Sequence, residues 1–246
     1  MIKYFTNNFP IINLYKKPNK KSEVVTQMIY GESFSVSKKT KKWFKISIKE
    51  DNYKGFIQKK NFSKYIRPTH KVNTLKAKVY KLPNKNKIKE LPFGSKIKVI
   101  NSKKNFCKFF RGWINKKDIK PISFKQTDPF KKITLFQNIK YKWGGKSFKG
   151  IDCSGLVQIC LNYNNIFCPR DAKDQVKYFK KNINLRKIKK NDILYWKGHV
   201  AVALSRKKLI HAYGPLKKTI IMDIDNTIKR IKKTAKLNLS KIKRIS

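Results

Sequence analysis

Arginine is scarce in this chain, although the chain is strongly basic. Of 62 basic residues in 246, seven are Arg, and 13 acidic residues leave a formal net charge of +49. A balance of that size first suggests a polyanionic partner. A nucleic-acid binder, however, concentrates Arg for bidentate contacts. Here the charge is carried by Lys spread along the whole chain, among abundant Asn, Ile, Phe and Tyr. Such a bias follows from a drift of coding sequence toward A and T. No specific nucleic-acid partner is therefore expected, only non-specific adhesion to polyanions.

Metal-ligand spacing is also missing. The four cysteines, Cys107, Cys153, Cys160 and Cys168, form no CxxC or comparable pattern, so neither a metal nor a cofactor is expected. Their spacing demands no disulfide, and it fits reduced thiols or partial pairing equally. The N-terminal stretch MIKYFTNNFPIINLY has no signal-type apolar core followed by a small-residue cleavage site. No apolar run approaches the roughly 20 residues that span a bilayer. These features predict a cytoplasmic protein without a transmembrane segment, with the periplasm or the cell wall as the alternative. No pattern sets an oligomeric state.

What is present points to ordered structure. Hydrophobic residues make up 40%, including 16 Phe, 11 Tyr and 4 Trp, which supports a packed core and argues against disorder. The first half carries an imperfect repeat. Leu14 to Lys20 (LYKKPNK) resembles Val79 to Lys85 (VYKLPNK). Tyr30-Gly31-Glu32 begins an alternating run, as Phe93-Gly94-Ser95 does, and Tyr53 to Ile57 and Arg111 to Ile114 each join Gly to aromatic residues. Alternation with Gly and Pro punctuation predicts short strands. A repeat of about sixty residues made of such strands suggests two small β-barrels. One irregular β-domain is the alternative.

A linker is expected near Pro121 to Pro129. Beyond it, Asp152 to Tyr163 (DCSGLVQICLNY) has helical periodicity, and a second helix is expected from Asp171 to Lys181. Strands follow over Asp192–Trp196, Val200–Leu204, Lys208–Tyr213 and Thr219–Ile224, giving an α+β arrangement. Histidine is rare: two of the three, His199 and His211, flank one predicted hairpin with its turn near Ser205 to Lys207. That register puts their side chains opposite or diagonal to each other, within reach.

Cys153 falls at the start of the first helix, after Asp152 as N-cap and before the small residues Ser154 and Gly155. A thiol there feels the positive end of the helix dipole and unpaired N–H groups, which favours thiolate over an ordinary pKa of about 8.5. The same N–H groups suit an oxyanion. Cys107 and Cys160 read as buried small apolar residues, and Cys168 is left open.

A Cys at a helix start with a His on a later strand is the papain-like order. Tyr141-Lys142-Trp143-Gly144-Gly145, Ile151 to Val157 (IDCSGLV), Asn191 to Trp196 (NDILYW), Gly198-His199-Val200 and Ile210-His211-Ala212 together resemble the signature of NlpC/p60 cell-wall cysteine peptidases over residues 125–246. The repeat ahead of them is similar to bacterial SH3-like domains, spanning residues 1–67 and 68–121. That combination resembles the subgroup that cleaves γ-D-glutamyl–diamino acid bonds in murein peptides. The resemblance implies Cys153 as nucleophile, His199 as general base and His211 as the residue orienting that base. It implies that Tyr141 and Asp152 line the substrate pocket, with Asp152 holding a free ammonium, and that Glu32 and Tyr53 add an acid and a phenol. Arg170-Asp171-Ala172 departs from the family's RDS, since Ala172 has no hydroxyl, and Asn191 stands where Gly is usual. The expected partner is a murein peptide, in short fragments with free N-terminal L-Ala. A related amidase or acyltransferase, and a catalytically vestigial wall-binding protein, are the rivals.

Overall fold

The computed structural model describes residues 2–245 and divides the chain into two compact units. The first holds residues up to 124 together with 146–148, and the second holds 125–145 and 149 onward.

In the first unit, seven strands form one sheet: β1 (Tyr4–Thr6), β2 (Ile11–Tyr15), β3 (Val24–Ile29), β4 (Ser33–Lys39), β5 (Trp43–Ile48), β6 (Lys54–Gln58) and β7 (Ser63–Lys64), in the order β3-β2-β6-β5-β4-β1-β7. Alternate residues point inward, so Ile12, Leu14, Met28, Phe34, Ile46, Ile48 and Ile57 make one core. Eight more strands follow: β8 (His70–Val72), β9 (Lys76–Leu82), β10 (Lys85–Pro92), β11 (Lys96–Ile97), β12 (Val99–Lys103), β13 (Phe106–Phe109), β14 (Gly112–Asn115) and β15 (Ile119–Pro121). They form a five-stranded sheet, β10-β9-β14-β13-β12, and a three-stranded one, β11-β8-β15. Tyr30 packs into the core of this second group, edge to face with Phe109 at 5.8 Å. Its neighbour Gly31 has φ +84°, and a Cβ there would stand 1.9 Å from the Lys96 carbonyl oxygen, so only glycine fits. β16 (Lys146–Ser147) lies against β3.

The second unit contains β17 (Gly150–Ile151), α1 (Cys153–Tyr163), α2 (Ala172–Tyr178) and the sheet strands β18 (Lys181–Asn182), β19 (Ile193–Trp196), β20 (His199–Ala203), β21 (Lys208–Tyr213), β22 (Lys218–Asp223) and β23 (Lys241–Arg244). α3 (Ile224–Ala235) runs between the last two strands, and the sheet order is β18-β23-β19-β20-β21-β22. α1 packs across β20 and β21 and is buried almost throughout, which explains its apolar character all round. Ile224 and Ile231 of α3 pack with Leu194, Ala201, Ala203 and Leu209 of the sheet. No helix among the described residues is long and apolar enough to cross a membrane.

One local expectation changes. The second helix ends at Tyr178, not Lys181, because the backbone turns extended at Phe179 (φ −75°, ψ 118°), which is buried. Residues 181–182 then pair with the final strand instead. Asn191 takes φ +73°, the left-handed turn that Gly would otherwise supply.

Candidate active site

The site begins at the first turn of α1. Asp152 sits in extended conformation and caps the helix: its Oδ1 accepts from the Gly155 N–H at 2.7 Å and from the Ser154 hydroxyl at 3.3 Å. Arg170 adds a bidentate pair, donating to Oδ1 at 3.0 Å and to Oδ2 at 2.6 Å, and the Gly144 N–H donates to Oδ2 at 2.8 Å. Five donors therefore fill a carboxylate with about four lone-pair sites. A ligand ammonium at Asp152 would have to displace one of them. Gly155 is required because a Cβ there would lie 2.5 Å from the Gly145 carbonyl oxygen. The Asp-Cys-Ser-Gly sequence thus clamps the start of the helix against the Gly144–Gly145 turn.

Cys153 follows at once and is buried. Burial, reinforced by the Asp152 carboxylate, pushes its thiol up to about 12, against the pull of the Val200 and Ser154 N–H groups and Arg170. The local reading favoured thiolate; in the fold, desolvation outweighs the helix end and the resting group is the neutral thiol. The hydrogen bond from Val200 places the sulfur beside the residue that follows His199. The ladder between β20 and β21 covers only Val202 with Ile210 and Ala203 with Leu209, so it stops short of Val200.

That register puts His199 and His211 on a diagonal of one sheet face. His199 Nε2 and His211 Nδ1 are 2.9 Å apart. The Tyr213 ring stacks on His211 at 4.6 Å and 9°, and Trp196 lies 5.7 Å from the His199 ring. His211 is fully buried. Burial pushes His199 down to about 4. Burial and then the neighbouring His199 push His211 down to about 3, so both imidazoles are neutral near pH 7.

Tyr141 borders the same first turn. It forms a parallel bridge with Ile151, and its phenol is raised by burial first and then by Cys153 and Asp152. The second unit thus brings together Tyr141, Asp152, Cys153, His199 and His211. Glu32 and Tyr53 belong to the first unit. Glu32 is buried; its carboxylate accepts from the Ile29 N–H at 2.8 Å and from Lys146 Nζ at 2.7 Å. Burial raises its pKa, and Lys146 opposes that. Tyr53 is half-buried against the β1–β7 core, just before β6.

The sequence reading gives no role to two cations, Lys146 and Arg170, the latter named only within the segment that resembles the family's RDS. Arg170 carried a usable signal, being one of only seven Arg in a Lys-rich chain. Arg244, another of the seven, makes the second bidentate pair, to Asp192 at 2.6 and 2.7 Å. Lys146 carried none, since it is one Lys among dozens. Among the described residues no group of three or more His, Cys, Asp or Glu side chains converges to hold a metal ion.

The NlpC/P60 family pattern matches residues 138–235, and the bacterial dipeptidyl-peptidase SH3 domain pattern matches residues 14–62. Dipeptidyl-peptidase 6 of Lysinibacillus sphaericus is 40% identical over 72 residues, 29% of this chain and 27% of that protein's length. The gamma-D-glutamyl-L-lysine dipeptidyl-peptidase of Bacillus subtilis (strain 168) is 26% identical over 231 residues, covering 83% of this chain and 77% of that protein. The crystal structure of an NlpC/P60 family protein from Bacillus cereus ATCC 10987 superposes with a TM-score of 0.84 at 19% identity, over 98% of this chain and 99% of that one, which establishes a shared fold. The chain thus carries an NlpC/P60 domain, of the cysteine-peptidase kind, with a bacterial dipeptidyl-peptidase SH3 domain ahead of it.

Proposed function

We propose that this protein hydrolyses murein peptides at the γ-D-glutamyl–diamino acid bond, with Cys153 as nucleophile, His199 as general base and His211 orienting that base. The reading takes residues 1–67 and 68–121 as two SH3-like barrels and residues 125–246 as a papain-like catalytic domain. One observation carries it: a thiol at a capped helix start, hydrogen-bonded by the N–H next to His199, whose ring is in turn bonded to His211.

The thiol and the imidazole rest neutral, so the reaction starts by proton transfer, not from a ready-made ion pair. His199 takes the Cys153 proton as sulfur attacks the γ-carbonyl, and the Val200 and Ser154 N–H groups stabilise the charge on sulfur as it forms. The imidazolium returns that proton to the leaving amine. Water, deprotonated by His199, then cleaves the thioester and frees the enzyme.

The names of the two curated relatives support a peptidase that removes dipeptides from a free amine end. Tripeptides with free N-terminal L-Ala are therefore the proposed substrates. Soluble fragments of that kind place the enzyme, under this proposal, in cytoplasmic wall recycling. Asp152 is filled by internal donors, and Ala172, the first residue of α2, has no hydroxyl, so amine recognition does not come from those two side chains alone. The test compares kcat/KM for a free and an N-acetylated L-Ala-γ-D-Glu–diamino acid tripeptide, with products identified by mass spectrometry. Cleavage after D-Glu and a clear preference for the free amine are expected. Equal rates would overturn the amine-end reading, and turnover that survives Cys153→Ala would overturn the mechanism.

A further inference from the structure

The hydrogen-bonded pair His199–His211 does not end at His211. β20, β21 and β22 lie side by side, with His211 opposite Ile220 and Leu209 opposite Met222. Met222 is therefore diagonal to His211 on the same face, as His199 is on the other side. Its thioether sulfur lies 3.4 Å from His211 Nε2. The face of β20–β22 thus carries a chain of three groups: His199, His211 and the sulfur of Met222.

A thioether accepts hydrogen bonds and cannot donate them. A neutral imidazole carries one N–H, and the two possible positions on His211 have different consequences. With the proton on Nδ1, His211 donates to His199 Nε2. The His199 proton is then forced onto Nδ1, and His211 Nε2 turns its lone pair toward the lone pairs of sulfur. With the proton on Nε2, His211 donates to Met222 and its Nδ1 accepts from His199 Nε2–H. His199 Nδ1 then holds the free lone pair that a general base needs. We propose that Met222 is a positioning residue: its sulfur selects the Nε2–H tautomer of His211 and, through it, the base-competent tautomer of His199. Tyr213, stacked on His211, keeps the ring plane aimed along this line. The inference rests on the proposed roles of His199 and His211, and it adds the group that sets the protonation pattern of both.

The test uses the full-length protein and needs no substrate for its first readout. Nitrogen-15 NMR of the histidine rings should show His211 protonated at Nε2. Met222→Leu keeps the bulk and removes the acceptor, so it should mix the tautomers and lower kcat/KM about five- to tenfold, the worth of one hydrogen bond. Met222→Glu restores an acceptor that cannot donate when ionised, and should return the Nε2–H tautomer and most of the rate. A residue needed only for packing would behave in reverse, with Leu tolerated and Glu damaging. That reversal, or His211 protonated at Nδ1 in the unaltered protein, overturns the proposal. Should the tautomers respond as expected while no murein peptide is cleaved, the role of Met222 stands and the substrate reading falls.

Discussion

Cys153 and Cys160 sit seven residues apart on α1, both buried and both with thiols raised chiefly by burial. Neither exposure nor resting ionisation separates them. What differs is the backbone around each sulfur. Cys153 occupies the first turn, where helix N–H groups have no partner within the helix, and its sulfur receives N–H donors from Ser154 and Val200. Cys160 lies two turns further in, where the helix's own ladder uses those groups. Under the proposed mechanism, a nucleophile is made here by position along a helix and by the strand that its first turn meets.

The sharpest way to break that comparison is to remove each thiol in turn. Cys153→Ala should lower kcat/KM more than about a thousandfold with the fold intact, while Cys160→Ala should keep kcat/KM and lose roughly 1–3 kcal/mol of stability as a core truncation. Chemical denaturation alongside peptide turnover reads both, and a live Cys153→Ala would end the distinction.

Next in size is the clamp behind the first turn. Arg170→Lys replaces a bidentate fork by a point charge, so it should let the helix start shift and lower kcat/KM about ten- to a hundredfold. Arg244→Lys breaks the matching pair on Asp192, between β19 and β23, and should cost stability without changing kcat. Similar kinetic losses for the two would show that both pairs only hold the fold.

The resting charge state offers a smaller and more direct contrast. Iodoacetamide should label Cys153 with a rate that climbs about tenfold per pH unit from pH 7 to 9, as expected for a thiol that must lose its proton. Cys160 should react only on unfolding. A flat rate for Cys153 across that range would mean a preformed thiolate, as the helix dipole alone suggested.

The last contrast is in acid stability. His199 and His211 have folded pKa values of about 4 and about 3, below the ordinary value of about 6.5, so each binds its proton more readily once unfolded. Their contribution to stability is complete above about pH 6.5 and is lost as pH falls toward 4. Denaturant melts at pH 7, 5.5 and 4 should show that slope, and His211→Gln should flatten it.

Some of this was readable from the chain because the contacts are local. The cap at Asp152, the helix to Tyr163 and the diagonal of His199 and His211 across a short hairpin all follow from periodicity and register over a few residues. Other parts were not. The helix over 224–235 is absent from the sequence reading, although Asp223 is its N-cap and lysines stand in its last turn. The second helix is shorter than its periodicity predicts, because nothing local shows that Phe179 turns inward.

Local chemistry along the chain is enough to supply a Cys behind a capping Asp, two His on one hairpin and Gly where backbones approach closely. What those groups do at rest comes from the segments that close over them. Tertiary structure filled Asp152 with Arg170 from 18 residues away and brought Val200 to the sulfur. It set Met222 behind His211 and, by excluding water, kept thiol and imidazoles neutral. The physical reason is that propensity and register act over a few residues. Desolvation and charge pairing instead depend on which distant segments close over a group, and only the completed fold sets that.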